Sequence, residues 1–337
     1  MDLSRRVITT ATEVTCRSGM TAIATLGPLS RAAIPRLRPL VNKAMERAVS
    51  APAGSRWWSD TDSPVPGEWI LGPSVAAQFA ARGIHSMSAA ATHGYGAIYY
   101  IHGSGYAVCS PATHHALVAT LSDLTGLPAF AVDYRLGPEN HFPSAGDDTI
   151  AGFRWMLETG FAPESIVVGG DSAGGHLALD MLRCNHIDSV GAPAAQVFFS
   201  PLLDPSFALS AEQEKVRPDP MFTAAAAKTI VGWYIGNTSY IHPRLTIPIT
   251  ADLPIPPTLI HAGEREMMSA DAREMARQLT DAGGAVTLTI WPGQGHVFQL
   301  MSAGSRTADE AISAAADFII EALGLGGQRL APVARSR

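Results

Sequence analysis

One stretch of eleven residues constrains this chain more than any other: Ser165-Ile-Val-Val-Gly-Gly-Asp-Ser-Ala-Gly-Gly175. Ser165 to Val168 are short, β-branched and bounded by glycine, the pattern of a buried strand. Gly169 and Gly170 permit a sharp turn. From Ala173 the run Gly-Gly-His-Leu-Ala-Leu-Asp-Met-Leu places apolar residues at helical spacing. A serine held between a buried strand and a helix must adopt a strained backbone, and side chains at 170 and 174 would meet the neighbouring strand and helix. Gly170-Asp171-Ser172-Ala173-Gly174 fits G-x-S-x-G, the turn that exposes a serine hydroxyl at the end of a sheet. The helix that follows points its positive end at negative charge developing there. Alone, the pentapeptide also suits a tight turn with a capping serine, so its surroundings decide the reading.

Those surroundings alternate strand and helix. Glu68–Leu71, Ala97–Ile101, Pro128–Tyr134, Ala194–Phe199, Pro257–His261 and Val286–Trp291 read as further strands. Helices are expected from Ser110-Pro111 to about Leu124, over Gly146–Glu158, Ala270–Leu279 and Ala308–Leu323. Strands separated by helices imply an α/β fold with a mostly parallel sheet covered on both faces. Two segments break the rhythm. Residues 1–55 have helical spacing divided by Pro28 and Pro35, and their apolar face suits either packing or a lipid surface. Residues 203–247 are too long for an ordinary connection, and Met221–Ile235 reads as a helix. Together these two are expected to form a helical cap. The core is then 56–202 and 248–325, with 51–67 a linker and 326–337 a frayed tail.

The bulk numbers exclude several alternatives. The 337 residues are 47% apolar, enough for one large core, yet no run approaches the roughly 18 apolar residues of a membrane span. Glu13 and Arg17 interrupt any signal core, so the expected location is the cytoplasm. A net charge of −6 without a basic stripe argues against nucleic acid. Cys16, Cys109 and Cys184 are far apart and odd in number, which gives neither a disulfide framework nor a zinc site.

A serine hydroxyl attacks only if a base takes its proton and a third group orients that base. Of eleven histidines, His296 follows the last strand through Pro-Gly-Gln-Gly, at the sheet edge where sites of open α/β sheets gather. His176 lies in the elbow helix, His114 and His115 on the first core helix, and His261 within a strand; these are weaker candidates. The acid belongs to the loop Ala262–Asp271, where Glu266 and Asp271 compete and Glu264 is a distant third. Asp271 has a plain role in the first turn of the next helix, behind Ser269 as N-cap, so Glu266 is preferred. An oxyanion needs preorganised N–H donors. The backbone at Ala173 offers one, and the turn His102-Gly103-Ser104-Gly105 offers the rest.

With these residues placed, the chain resembles the hormone-sensitive-lipase-like esterases, the bacterial family IV of the α/β-hydrolase superfamily, over roughly residues 65–322. His102-Gly103-Ser104-Gly105-Tyr106 resembles the family's HGGG loop. Asp133-Tyr134-Arg135-Leu136-Gly137-Pro138-Glu139, with His141-Phe142-Pro143 and Asp147-Asp148, resembles its D-Y-R-L-A-P-E segment. Gly170-Asp171-Ser172-Ala173-Gly174-Gly175 matches its elbow. The resemblance implies an α/β-hydrolase core with a helical cap and a carboxylesterase that needs no cofactor or metal. It implies Ser172 as nucleophile, His296 as base, Glu266 as acid, and the N–H groups of Ser104, Gly105 and Ala173 as oxyanion donors. Ser104 replaces a motif glycine and Gly137 a motif alanine, the latter expected to be harmless. The family's acid is usually followed by x-Leu-x-Asp; here Met268 takes the Leu place and Asp271 falls one residue late. The expected substrate is a small ester of short to medium acyl chain, with pocket size set near Trp233 and Tyr234. The alternatives are a deacetylase for one acetylated metabolite and a ligand-binding protein on an inactive hydrolase fold. A homodimer is compatible with the sequence, though no residue argues for one.

Overall fold

The computed structural model describes Arg17 and residues 21–22, 25–103, 105–301 and 305–326. The expectations for most of residues 1–24, for Ser104 and for the tail from residue 327 lie outside the described residues.

Eight strands form one sheet in the order β1-β2-β4-β3-β5-β6-β7-β8. They are β1 (Arg56–Ser59), β2 (Gly67–Leu71), β3 (Ala97–Ile101), β4 (Ala129–Val132), β5 (Ile166–Asp171), β6 (Ala195–Phe199), β7 (Thr258–Gly263) and β8 (Val286–Trp291). β1 and β2 run antiparallel at one edge, and β4 to β8 are parallel. Strands β2 to β7 are apolar and almost wholly buried, which requires helices on both faces. Two buried clusters supply this, one around Trp69, Phe130, Phe153 and Phe198, the other around Ile98, Leu117, Val167 and Phe199. β1 lies inside the stretch read as a linker. All four of its residues are exposed, so no period-two burial pattern marks it, and only backbone pairing to β2 makes it a strand.

The elbow differs from expectation in detail. β5 runs straight through Gly169 and Gly170 to Asp171 instead of turning at the glycines. They are needed for close approach: a Cβ at 169 would lie 2.9 Å from Tyr100 Cδ2, and one at 170 would lie 2.9 Å from the Gly174 carbonyl carbon. The turn is confined to Ser172.

Helix α1 (Pro28–Ala48) is continuous, although Pro35 and Pro39 lie inside it. Each proline removes one backbone bond and ordinarily breaks or kinks a helix. Inward anchors hold this one together: Ile34 packs with Ala107, Ile230 and Trp233. Arg38 donates to Ala107 O at 2.9 Å and Gly137 O at 2.7 Å, and it pairs with Glu139 at 2.8 Å. Between β6 and β7 stand α2 (Ala208–Val216), which the sequence did not announce, and α3 (Ala224–Ile235), which starts three residues later than the periodicity suggested. The elbow helix is α4 here (Ala173–Ile187), and the helix after the acid loop is α5 (Ser269–Asp281).

Candidate active site

Ser172 is the first consequence of the elbow. It sits at φ 50°, ψ −119°, a region that costs a non-glycine residue free energy unless its surroundings impose it. They do so through backbone bonds on both sides. Its N–H donates to Phe199 O at 3.0 Å, and its carbonyl accepts from Leu202 N at 2.9 Å and Gly175 N at 3.1 Å. Gly174 is compulsory because a Cβ there would overlap the Ile101 carbonyl oxygen. Gly103 is likewise tied to the serine, since a Cβ on it would lie 2.9 Å from Ser172 Cβ.

β5, β6, β7 and β8 are consecutive parallel neighbours, so the loops after them gather on one edge of the sheet. After β7, Glu266 is 1% exposed. Its Oε1 accepts from Gly263 N at 2.5 Å and from Ser200 Oγ at 2.7 Å, and its Oε2 stands 2.5 Å from His296 Nδ1. His296 is buried on the loop after β8, with the Phe222 ring edge-on at 5.0 Å. Burial would lower its pKa, but the charge and hydrogen bond of Glu266, aided by Asp219 and Asp171, outweigh that and raise it above the ordinary imidazole value of 6.5. Gly263 lets the two loops touch, for a Cβ there would lie 2.5 Å from Gly295 O.

The other candidates have different occupations. Asp271 is fully buried and accepts from Leu203 N at 3.0 Å, Asp204 N at 2.9 Å and Ser210 Oγ at 2.7 Å, tying α5 to the start of the inserted segment. Burial pushes its carboxyl up to about 6. Ser269 does not cap α5; its hydroxyl donates to Glu266 O at 2.9 Å, and Met268 holds the N-cap position. Glu264 is half-buried and paired with Arg217 at 2.9 Å. His176 bridges Tyr106 Oη and Leu245 O, each at 2.9 Å. His115 Nε2 meets Glu68 Oε2 at 2.5 Å. His261 is buried in β7, where desolvation lowers its pKa to about 4.

Beneath the glycine-rich turn lies a buried polar cluster. His102 stacks on Tyr134 at 4.3 Å, and burial lowers its pKa to about 3. Tyr134 Oη donates to His102 O at 2.8 Å. Asp171 accepts from Tyr100 Oη at 3.0 Å, and His114 Nε2 lies 3.2 Å from its Oδ1. Burial opposes ionisation of Asp171, yet His114 and the hydrogen bonds, including one from Gly103 N–H, hold its carboxyl below the usual range. Gly105 takes φ 57°, and Ala173, as the first residue of α4, has an N–H without an intrahelical acceptor. The described residues contain no group of three or more His, Cys, Asp or Glu side chains able to hold a metal ion.

Two residues at this edge escaped the sequence reading. Ser200, which has φ 50° and is wholly buried, donates its hydroxyl to Glu266 and accepts Val297 N–H at 3.0 Å. Asp219, from the inserted segment, accepts Met221 N at 2.7 Å and Met267 N at 2.8 Å, which fastens that segment to the acid loop. A Ser-Pro pair after a strand hints at the first; nothing in the pattern hints at the second. Tyr234 and Trp233 are buried in packing: Tyr234 stacks on Tyr106 at 4.6 Å, and Trp233 joins the cluster under α1. Among apolar side chains of the inserted segment, Phe222 meets His296, and Ile230 and Val231 border Gly105.

Comparison with known proteins agrees with this architecture. A family model described as alpha/beta hydrolase fold matches residues 98–300. The chain is 34% identical over 246 residues to the carboxylesterase/phospholipase LipF of Mycobacterium tuberculosis, covering 71% of this chain and 65% of LipF. It is 33% identical over 228 residues to an acetyl-hydrolase of Streptomyces hygroscopicus, covering 67% of this chain and 76% of that protein. A crystal structure of an esterase from the bacterial hormone-sensitive lipase family superposes with a TM-score of 0.75 at 27% identity, over 90% of this chain and 97% of that one. The chain belongs to the α/β-hydrolase family. Within it, its place is among the hormone-sensitive-lipase-like esterases.

Proposed function

We propose that this protein hydrolyses carboxylic esters through an acyl-enzyme on Ser172. The observation that carries the reading is the strained serine at the end of β5, two strands from a buried imidazole–carboxylate pair on the same sheet edge. In this mechanism Ser172 Oγ attacks the ester carbonyl carbon while His296 Nε2 takes the hydroxyl proton. Glu266 Oε2 accepts from His296 Nδ1–H, fixing the tautomer and stabilising the imidazolium. The N–H groups of Ala173 and Gly105, with that of Ser104, receive the oxyanion. The tetrahedral intermediate collapses, and His296 returns the proton to the departing alcohol. Water then attacks the acyl-enzyme with His296 again as base, releasing the acid and Ser172.

Phe222, Ile230 and Val231 crowd the site from the inserted segment, which supports a preference for short to medium acyl chains. The resemblance to an acetyl-hydrolase favours, as a second reading, a deacetylase for one acetylated metabolite. A p-nitrophenyl ester series from acetate to palmitate, run with wild type and Ser172→Ala, separates them. Turnover that peaks at short chains and vanishes in the variant supports the esterase. Acetate-only turnover supports the deacetylase, and full turnover by the variant refutes both.

A further inference from the structure

The charge of this chain is unevenly distributed. Residues 1–56 hold nine Lys and Arg against three Asp and Glu, a balance of +6, while the whole chain carries −6, leaving −12 on the remainder. Charge asymmetry of this kind suggests an anionic partner for the basic segment. α1 shows where such a partner would bind. Its inner face packs on Ala107, Ile230 and Trp233 at the site, whereas its outer face meets no partner among the described residues. Leu29 is 74% exposed, Leu40 68% and Leu37 46%, with Leu26 just before the helix at 57%. Leu29, Arg36, Leu40, Lys43 and Arg47 follow one another at steps of seven, four, three and four residues and share one stripe, with Leu37 at its border. Arg36, Lys43 and Arg47 are exposed and make no ion pair among the described residues. Exposed leucines flanked by free cations are the mark of a helix lying in a bilayer interface, its apolar side chains in the acyl boundary and its cations at anionic headgroups.

We propose that the outer face of α1 docks on an anionic lipid surface and so brings the neighbouring site to esters dispersed in that surface. No helix among the described residues is long and apolar enough to cross a membrane, so the contact is peripheral.

The test uses full-length Ser172→Ala protein, so binding is read without lipid turnover and independently of the esterase reading. It is floated with phosphatidylcholine vesicles, with and without about 30% phosphatidylglycerol. The expected result is binding to the anionic vesicles alone, weakened at about 0.5 M salt. Combining Leu29→Ser with Leu40→Ser should lower the partition coefficient about tenfold or more. In the Ser172-intact background, p-nitrophenyl butyrate hydrolysis and the melting curve of the double variant should stay unchanged. No binding to anionic vesicles, or binding indifferent to the two leucines, overturns the proposal. A wild-type dimer in sedimentation that the two serines dissolve, without vesicle binding, also overturns it and gives the face to a second copy.

An independent observation carries a second inference. We propose that Ser200 is a positioning residue, its hydroxyl linking the Glu266 carboxylate to the backbone that carries His296. Ser200→Ala and Ser200→Gly both remove the hydroxyl, but glycine adopts φ 50° without strain. A positioning role predicts that both lower kcat about tenfold with KM little changed, and that both displace the acid limb of the kcat/KM profile. Recovery by glycine alone, or loss of melting temperature with kinetics and pH profile intact, would leave Ser200 a structural residue and refute the inference.

Discussion

Exchanging Asp271 and Glu266 in turn separates a carboxylate that holds the fold from one that serves the chemistry. In Asp271→Ala, two backbone N–H groups and the Ser210 hydroxyl lose their acceptor in a buried place. At about 2 kcal/mol for each orphaned donor the loss is about 6 kcal/mol. Against this, burial has moved the Asp271 carboxyl from 3.8 to about 6, so at pH 7 the folded chain bears an ionisation cost of about 3 kcal/mol that alanine removes. The net destabilisation is about 3 kcal/mol, which for 337 residues lowers the melting temperature by about 4 °C. The sign of the pH dependence follows from the raised pKa. Between the folded and unfolded values wild type gains stability as pH falls, so the gap between variant and wild type widens from pH 7 to pH 5. Turnover of the folded fraction should change little. Glu266→Ala should lower kcat/KM of the folded protein about a thousandfold or more. Because it also orphans the buried Gly263 N–H, the Ser200 hydroxyl and His296 Nδ1, its melting temperature should fall as well, so the two variants are separated by the turnover of the folded fraction. Calorimetry and p-nitrophenyl butyrate kinetics on both variants decide the matter. If Asp271→Ala abolished turnover at unchanged stability while Glu266→Ala remained active, the assignment would be wrong.

Three further outcomes follow from the same geometry. The acid limb of kcat/KM should have its midpoint above pH 6.5, because Glu266 raises the His296 pKa and protonated imidazole cannot take the serine proton; a midpoint below 6.5 contradicts this. Gly174→Ala should fail to yield folded protein, since its Cβ would overlap the Ile101 carbonyl oxygen, and a normal melting curve would refute that packing. Gly137→Ala should cost about 1–3 kcal/mol, because the new Cβ would lie 2.9 Å from Tyr234 Cα, and denaturant titration measures it. At 137 the backbone of α3 at Tyr234 occupies the space a methyl group would take, so glycine suits this chain where the family motif has alanine.

Much of the scaffold was legible because it obeys local rules. Buried parallel strands read as apolar runs, and the elbow shows as one contiguous G-x-S-x-G motif, although Gly169 and Gly174 are required by Tyr100 and Ile101 on the neighbouring strand. What was not legible depended on distant partners. β1 is a strand only because β2 lies beside it, and its exposed residues carry no periodic signal. α1 survives two internal prolines because Arg38 and Ile34 are anchored by residues about 70 or more positions away. Glu266 and Asp271 are chemically alike in the sequence; their difference lies in what reaches each of them, His296 for one and the Leu203–Asp204 backbone for the other. Ser200 and Asp219 needed the fold itself, since each joins loops that the sequence keeps far apart.

The most direct measurement is trapping with a fluorophosphonate ester, followed by peptide mapping and by the residual rate of Ser172→Ala. An acyl-enzyme mechanism on this serine predicts one label per chain, on Ser172, with loss of p-nitrophenyl butyrate turnover in step with labelling and no comparable turnover by the variant. A label on another residue, or hydrolysis that survives the substitution, would contradict the account.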